Sequence, residues 1–326
     1  MLRRDVFLGI DGGGTHSTAI AVDLEGNVLA KVIGESINYY SLGMKRARHH
    51  LIQIMDQILE KVKIESFESV YIGNSALSQE ATAAMIDEFT SGIIKSGSVY
   101  MHSDSYIALI AMTIGKPGIL IISGTGSMGI AKGLTDELLN IGGWGYLLGD
   151  YGSAYHIALQ GIQAAVAAEE GMSKATMLKE ALKRYFAALD MRDLIDKFYN
   201  PPLDRHIIAG FASEVAKCAE QSDEVALKLV KQAAHDLANH ALELEKRLNI
   251  QGVPIGASGS VFTKNNYIFD EFKGLLEQNC PFSAVRLIDF PPEFGAIFAC
   301  FHENKILLEP SIQQRMKLTY ELLKEE

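Results

Sequence analysis

Val6-Phe7-Leu8-Gly9-Ile10-Asp11-Gly12-Gly13-Gly14-Thr15 is an apolar run that stops at an acid and three glycines. Such a run, bounded by turn formers, reads as a buried strand entering a tight turn. The pattern returns as Ile119-Leu120-Ile121-Ile122-Ser123-Gly124-Thr125-Gly126-Ser127. Asp11 and Ser123 lie 112 positions apart (123 − 11), about one domain's length. A return strand follows each turn, over 18–22 and over 128–131. Strand, glycine turn and strand recurring at domain spacing read as an internal duplication.

Beyond the first turn, Asp23-Leu24-Glu25-Gly26-Asn27 is turn chemistry, and the strand at 28–33 completes a three-stranded meander. Apolar residues at helical spacing predict a helix over 45–62. Strands at 69–72 and 99–102 then alternate with helices at 80–89 and 106–112. After the second glycine turn the chain reads mainly helical, over 152–169, 174–189, 191–199, 208–220 and 224–248. Pro254-Ile255-Gly256-Ala257-Ser258-Gly259-Ser260 is a strand ending in a third glycine turn, followed by a strand at 285–288 and a helix at 293–302. The class is α/β, and 326 residues suit two domains. Gly115-Lys116-Pro117-Gly118 is the best boundary, which predicts domains over 1–115 and 116–304 and a helix over 305–326 packing back on the first.

Composition narrows the function. Thirty Lys and Arg against 40 Asp and Glu give a net charge of −10. With no basic excess to displace counterions, nucleic acid and anionic membranes are expected to be excluded as partners. Cys218, Cys280 and Cys300 lie far apart, without C-x-x-C or H-E-x-x-H spacing, and read as reduced, buried thiols. The histidines at 49, 50, 235 and 240 read as solvated helix residues. The apolar run after Leu2-Arg3-Arg4 is too short for a signal sequence, and the stretch at 106–114 is half a membrane span. A soluble, cytoplasmic protein is expected.

The 29 glycines exceed the ~23 that a ~7% background would give, and they cluster in the turns. Glycine turns after buried strands leave backbone N–H groups open to phosphate oxygens. A P-loop needs G-x-x-x-x-G-K-[ST], which the chain does not contain. Gly124-Thr125-Gly126-Ser127-Met128-Gly129 spells a dinucleotide fingerprint, but Ile130-Ala131-Lys132-Gly133 follows where a long helix should open. The remaining functional possibility is a paired-loop ATP site, with Gly12, Gly13, Gly14 and Thr15 on one side and Gly124, Thr125 and Gly126 on the other. Neither loop carries Lys or Arg, so amides and Mg²⁺ would hold the triphosphate, with Asp11 as an outer metal ligand. Two ordinary tight turns are the plain alternative.

D-G-G-G-T-H-S-T (11–18), G-E-S-I-N-Y-Y-S-L-G (34–43), S-G-T-G-S (123–127) and G-G-W-G-Y-L-L-G-D-Y-G-S-A-Y (142–155) together resemble the N-acetylglucosamine kinase and BadF/BadG/BcrA/BcrD ATPase family. Gly259-Ser260-Val261 and Pro291-Pro292-Glu293-Phe294-Gly295-Ala296 resemble its late motifs. The resemblance spans residues 6–300 and implies duplicated actin-like (ribonuclease H-like) ATPase domains around a central cleft. It implies an ATP- and Mg²⁺-dependent amino-sugar kinase, with N-acetylglucosamine phosphorylated at C6 and with glucosamine or N-acetylmuramic acid as alternative substrates. A sugar-sensing ATPase module without kinase activity is the rival class. The branch that carries an iron–sulfur cluster between subunits is disfavoured by the scattered cysteines.

Asp104, at the end of a strand and the start of a helix, suits either a general base or a helix N-terminal acid. The resemblance implies the base. Asp150 could cap the following helix; the resemblance implies a sugar-binding acid instead. Trp144 and Gly145, in a glycine-rich loop, and Asn38 are implied sugar contacts, Ser75 is a weaker one, and Gly259 and Ser260 would lie near the nucleoside. Two places depart from the family pattern. Gly73-Asn74-Ser75-Ala76-Leu77-Ser78 lacks a second glycine, and Ile37 stands where a small residue is usual. The expected partners are an amino sugar and a second copy of the chain, as a homodimer.

Overall fold

The computed structural model describes residues 5–323 and divides them into two compact units. One unit holds the chain up to Lys116 together with the stretch from Ile288; the other is Pro117–Leu287.

The first unit opens with β1 (Val6–Gly12), β2 (His16–Asp23) and β3 (Val28–Glu35), an antiparallel meander. Then come α1 (Tyr39–Leu42), α2 (Met44–Val62), β4 (Phe67–Asn74), α3 (Ala83–Thr90), β5 (Ser96–His102) and α4 (Asp104–Thr113). The sheet order is β3-β2-β1-β4-β5, with β4 parallel to β1 and β5 parallel to β4. β1 is therefore central and covered on both faces, which is why it reads as an unbroken apolar run. Its side chains alternate: Leu8 and Ile10 pack with Leu51, Ile54 and Ile58 of α2, while Phe7 joins Ile107 of α4 on the other face.

The second unit contains β6 (Gly118–Ser123), β7 (Ser127–Lys132), β8 (Leu138–Gly142), α5 (Ala154–Glu169), α6 (Leu178–Tyr185), α7 (Asp193–Tyr199), α8 (Arg205–Gly210), α9 (Ala212–Glu220), α10 (Glu224–Leu248), β9 (Ile255–Ser258), α11 (Ser260–Thr263), α12 (Asn266–Asn279) and β10 (Val285–Leu287). Its sheet order is β10-β9-β6-β7-β8. Again a central first strand carries an antiparallel meander on one side and parallel strands on the other. The two sheets repeat one plan, so the duplication extends from the glycine turns to the whole strand topology.

The expected boundary at 304 is corrected. Two further helices, α13 (Pro292–Glu303) and α14 (Pro310–Leu322), belong to the first unit. α13 is buried at every residue from Glu293 to Phe301, so it needs cover on all sides. It lies on β1 and against α4 at backbone distance. A Cβ on Gly9 would meet the Glu293 carbonyl at 2.6 Å, and one on Gly295 would meet the Ile107 carbonyl at 1.7 Å. α14 lies on β3: Thr319 Oγ1 accepts from Val28 N–H at 2.9 Å, and Lys31 Nζ donates to the Tyr320 hydroxyl at 2.7 Å.

Three local readings also change. β8 is a partly exposed edge strand, so it lacks the apolar run that marked its neighbours. The helix expected over 208–220 is two helices with Phe211 between them, and the first begins earlier because Asp204 caps it. α12 carries too mixed a pattern to stand out in the sequence.

Candidate active site

The first unit gathers one group of expected site residues at the end of β1. Gly13-Gly14-Thr15 is the loop from β1 to β2. Gly12 admits no side chain, because a Cβ there would lie 2.6 Å from Ile37 Cγ1 and 2.7 Å from the Gly73 carbonyl. Ile37, the residue that departs from the family pattern, is fully buried against that glycine. Ser36 Oγ donates to the Gly13 carbonyl at 2.8 Å, and Ser75 N–H donates to the Gly12 carbonyl at 2.9 Å. Asn38 caps α1 through Oδ1, which accepts from Ser41 N–H at 3.0 Å. Its Nδ2 donates to Ser75 Oγ at 2.9 Å, so these two expected sugar contacts touch each other.

Asn74, which no motif singles out, explains the missing second glycine. Its buried side chain donates to the Ile37 carbonyl at 3.0 Å and accepts from Ala76 N–H at 2.9 Å. This Asx turn closes the loop without needing a left-handed residue.

Asp104 is the first residue of α4, one past the Ser103 cap, whose Oγ accepts from Tyr106 N–H. Burial raises the Asp104 carboxyl above the usual carboxylate range, partly opposed by the Ser105 N–H, which donates to Oδ1 at 2.7 Å. A carboxylate that holds a proton more readily is suited to accept one. His102 stacks on Tyr106, ring centroids 4.0 Å apart, and burial pushes it down to about 4. Its Nδ1 accepts from Ser103 N–H at 2.7 Å, so the neutral ring carries its proton on Nε2.

Asp11, at the end of β1, is pushed up to about 8, first by burial and then by the charges of Asp104 and Glu293. Glu293 of α13 is buried and accepts from the Tyr320 hydroxyl at 2.5 Å. Among the described residues no group of three or more His, Cys, Asp or Glu closes into a metal cage. Neighbouring acids without such a cage fit Mg²⁺, which keeps several waters and takes one or two carboxylates beside phosphate oxygens.

This raised value predicts a pH-dependent stability. A folded-state pKa above the unfolded one contributes stability that is full below about pH 4 and lost as pH rises to about 8. Asn at position 11 stays neutral. Without metal, Asp11→Asn should therefore be no more stable than wild type at pH 4 and increasingly more stable toward pH 8, by at most ~1.4 kcal/mol per pH unit. Melting curves at pH 4, 6 and 8.5 check this; a difference that does not vary with pH contradicts it.

In the second unit, Gly124–Gly126 links β6 to β7, with Gly124 N–H donating to the Gly126 carbonyl at 2.9 Å. Ser123 Oγ donates to the Gly152 carbonyl at 3.0 Å and Ser127 Oγ to that of Tyr151 at 2.7 Å, tying the hairpin to the next loop. The third glycine turn joins them. Gly259 has φ +98°, and a Cβ there would meet the Ser123 carbonyl at 2.2 Å, so only glycine fits. Ser260 Oγ lies 3.9 Å from where a Cβ on Gly124 would be. A cavity of about 530 Å³ opens beside Ser260, lined also by Val261, Lys264, Tyr185, Ala209 and Gly210.

Asp150 is buried at 5% exposure and left-handed at φ +57°. Burial raises its carboxyl, while the Ser127 and Gly145 amides and the Arg205 and His240 charges pull it back. The following helix is capped by Ser153, which removes the capping explanation for Asp150. A Cβ on Gly126 would come 2.8 Å from Asp150 Oδ2, so the acid sits directly behind the second glycine loop. Trp144 is 73% exposed in the adjoining loop, where Gly145 has φ +83°.

Two histidine expectations are corrected. His50 is buried, with Nδ1 2.7 Å from the Ser36 carbonyl, because it lies on the inward face of α2. His240 is half-buried, with Nδ1 enclosed without a partner and Cε1 3.4 Å from where a Cβ on Gly142 would lie. His49 is exposed as expected. The three cysteines are free and buried. Among the described residues no helix is long and apolar enough to cross a membrane.

Two sheets of one plan, each with a glycine hairpin at the end of its central strand, define a duplicated α/β nucleotide-binding fold. Residues 8–287 match the model of the BadF/BadG/BcrA/BcrD ATPase family, and the chain belongs to that family. It is 26% identical to the N-acetylmuramic acid/N-acetylglucosamine kinase of Clostridium acetobutylicum, covering 89% of this chain and 96% of that one. It is 25% identical to the N-acetyl-D-glucosamine kinase of Dictyostelium discoideum, covering 93% and 100%. A solved structure from Chromobacterium violaceum shares the fold at TM-score 0.72 and 20% identity, covering 90% of this chain and 98% of that one.

Proposed function

We propose that this chain is an ATP-dependent amino-sugar kinase acting on N-acetylglucosamine, with glucosamine and N-acetylmuramic acid as the alternatives to test. Family membership supports the use of ATP, and the kinase relatives support a sugar hydroxyl as acceptor. The observation that carries the chemistry is Asp104, a carboxyl at a strand's carboxyl end whose burial raises its proton affinity.

In this proposal Asp104 takes the proton of the C6 hydroxyl. The oxygen attacks the γ-phosphorus in line, and the bond to the β-phosphate oxygen breaks to leave ADP. In the first unit the proposed sugar contacts are Asn38 and Ser75, already bonded to each other; in the second they are Trp144, Gly145 and Asp150. The backbone amides of Gly12, Gly13, Gly14, Thr15, Gly124, Thr125 and Gly126 bind phosphate oxygens, and Gly259 and Ser260 adjoin the nucleoside. Asp11 would hold Mg²⁺ as an outer ligand, and the metal would supply charge neutralisation at the phosphates.

Measuring ADP release across N-acetylglucosamine, glucosamine, N-acetylmuramic acid and glucose tests the reading. Turnover with an amino sugar supports it; nucleotide binding with no sugar-dependent ADP release overturns it in favour of a non-catalytic module. Trp144, as the single tryptophan, reports directly on the acceptor site. Its emission should change by roughly a tenth or more on adding an accepted sugar, since an exposed indole is desolvated by a stacked ring. An unchanged spectrum removes Trp144 from the pocket.

A further inference from the structure

Neither glycine loop carries a cation, yet phosphoryl transfer develops charge that enzymes of this chemistry neutralise with arginine or lysine as well as metal. The second unit brings an arginine and a histidine to the second glycine loop and its neighbour from a distant part of the sequence. Arg205 and His206 open α8, 79 and 80 residues beyond Gly126 (205 − 126 and 206 − 126) and outside the family motifs.

The dipeptide spans two loops. His206 Nδ1 lies 3.2 Å from the Thr125 hydroxyl, at the tip of the glycine hairpin. Arg205 lies over the ring of Tyr146, 5.7 Å from its centroid, in the loop that carries Trp144. Tyr146 packs in turn on Tyr155, ring centroids 4.9 Å apart. Asp204 pins the pair from below, its Oδ1 accepting from His206 N–H at 2.7 Å. Asp150 lies behind the same hairpin, and the positive charge of Arg205 reaches it. Both side chains are exposed, so neither is tied up in the core.

We propose that Arg205 and His206 clamp the γ-phosphoryl group at the junction between the Thr125 hairpin and the Tyr146 loop. The placement rests on reading the first loop as phosphate-binding and the second as acceptor-binding. A group passing from one to the other crosses the point where Arg205 and His206 meet them. Guanidinium N–H groups bind phosphate oxygens in a fixed fork, and cation–π contact with Tyr146 holds the guanidinium without consuming those donors. Thr125, held by His206, keeps the hairpin tip in register. The clamp explains how a chain with a charge of −10 and no cation in either loop binds the terminal phosphate.

The test uses the full chain and two nucleotides. Arg205→Gln, His206→Asn and the double variant are titrated by calorimetry with a non-hydrolysable ATP analogue and with ADP, both with Mg²⁺. Loss of a charged hydrogen bond should weaken binding of the triphosphate analogue about tenfold or more in Arg205→Gln, and ADP affinity should stay within about twofold. Equal weakening of both nucleotides, or unchanged triphosphate affinity, overturns the clamp. This arm needs no sugar, so it stands or falls separately from the kinase assignment. With an accepted sugar, kcat should fall at least ~10²-fold at saturating nucleotide, as for removal of a charge-stabilising donor. A rise confined to the sugar KM would instead assign Arg205 to the acceptor and overturn the proposal. Arg205→Lys, which keeps the charge and loses the fork, should recover part of the triphosphate preference; full recovery would contradict bidentate binding.

Discussion

Asp104→Asn should lower kcat at least ~10²-fold while nucleotide affinity stays within about a factor of two. The amide matches the carboxylate in shape and keeps an oxygen to accept from Ser105 N–H, so α4 still starts where it does. In the proposed reaction, what it loses is the ability to take a proton from the attacking hydroxyl. Ser103 remains the cap and His102 remains stacked on Tyr106, so folding is not the issue. Melting temperature should hold or rise, since burial of the charged carboxylate is unfavourable. Turnover within a few-fold of wild type would remove Asp104 from the chemistry and leave it the role of a helix-terminal acid.

The second large effect is structural and reaches the same residue through packing. Gly295→Ala should destabilise the first unit by about 3 kcal/mol or more. The added methyl would sit 1.7 Å from the Ile107 carbonyl and 2.8 Å from Ala111 N, all backbone, so α13 and α4 must move apart. Flexible side chains could yield; two helix backbones packed between Phe294, Ile297 and the sheet cannot. For a unit of this size the melting temperature should fall by roughly 6–12 °C. Because Asp104 is the first residue of α4, kcat should drop as well. Gly274→Ala in α12 is the control, with nothing within 4 Å of its added methyl. There the helix gains about 0.5–1 kcal/mol. Matching losses at both positions would refute the packing explanation.

The features legible in the sequence are those that local chemistry controls. The apolar run of β1, the glycines that end it and their recurrence 112 residues later reflect a central strand buried on both faces and a turn that tolerates no side chain. α10, Glu224–Leu248, matches its expected span because Asp223 caps it and its apolar stripe is long and regular. β8 and α12 do not stand out, because an edge strand and a mixed helix leave weak periodic patterns. The motif residues Asn38 and Ser75 could be listed, but not that Nδ2 of one donates to the other.

Tertiary structure decided the rest. The chain returns to the first unit at Ile288 because α13, apolar on every side, finds full cover only on β1, β4 and α4. Glu293 reaches the neighbourhood of Asp11 by that return, and its charge helps push Asp11 up to about 8. His206 reaches the Thr125 hairpin, and Arg205 the Tyr146 ring, from the start of α8. By itself the sequence determined the strands other than β8, the glycine hairpins and the duplication, because backbone freedom and alternating burial are properties of a few adjacent residues. Which side chains meet those hairpins is set by residues far apart, His206 with Thr125 over 81 positions and Glu293 with Asp11 over 282 (293 − 11), and no local pattern encodes such a pairing.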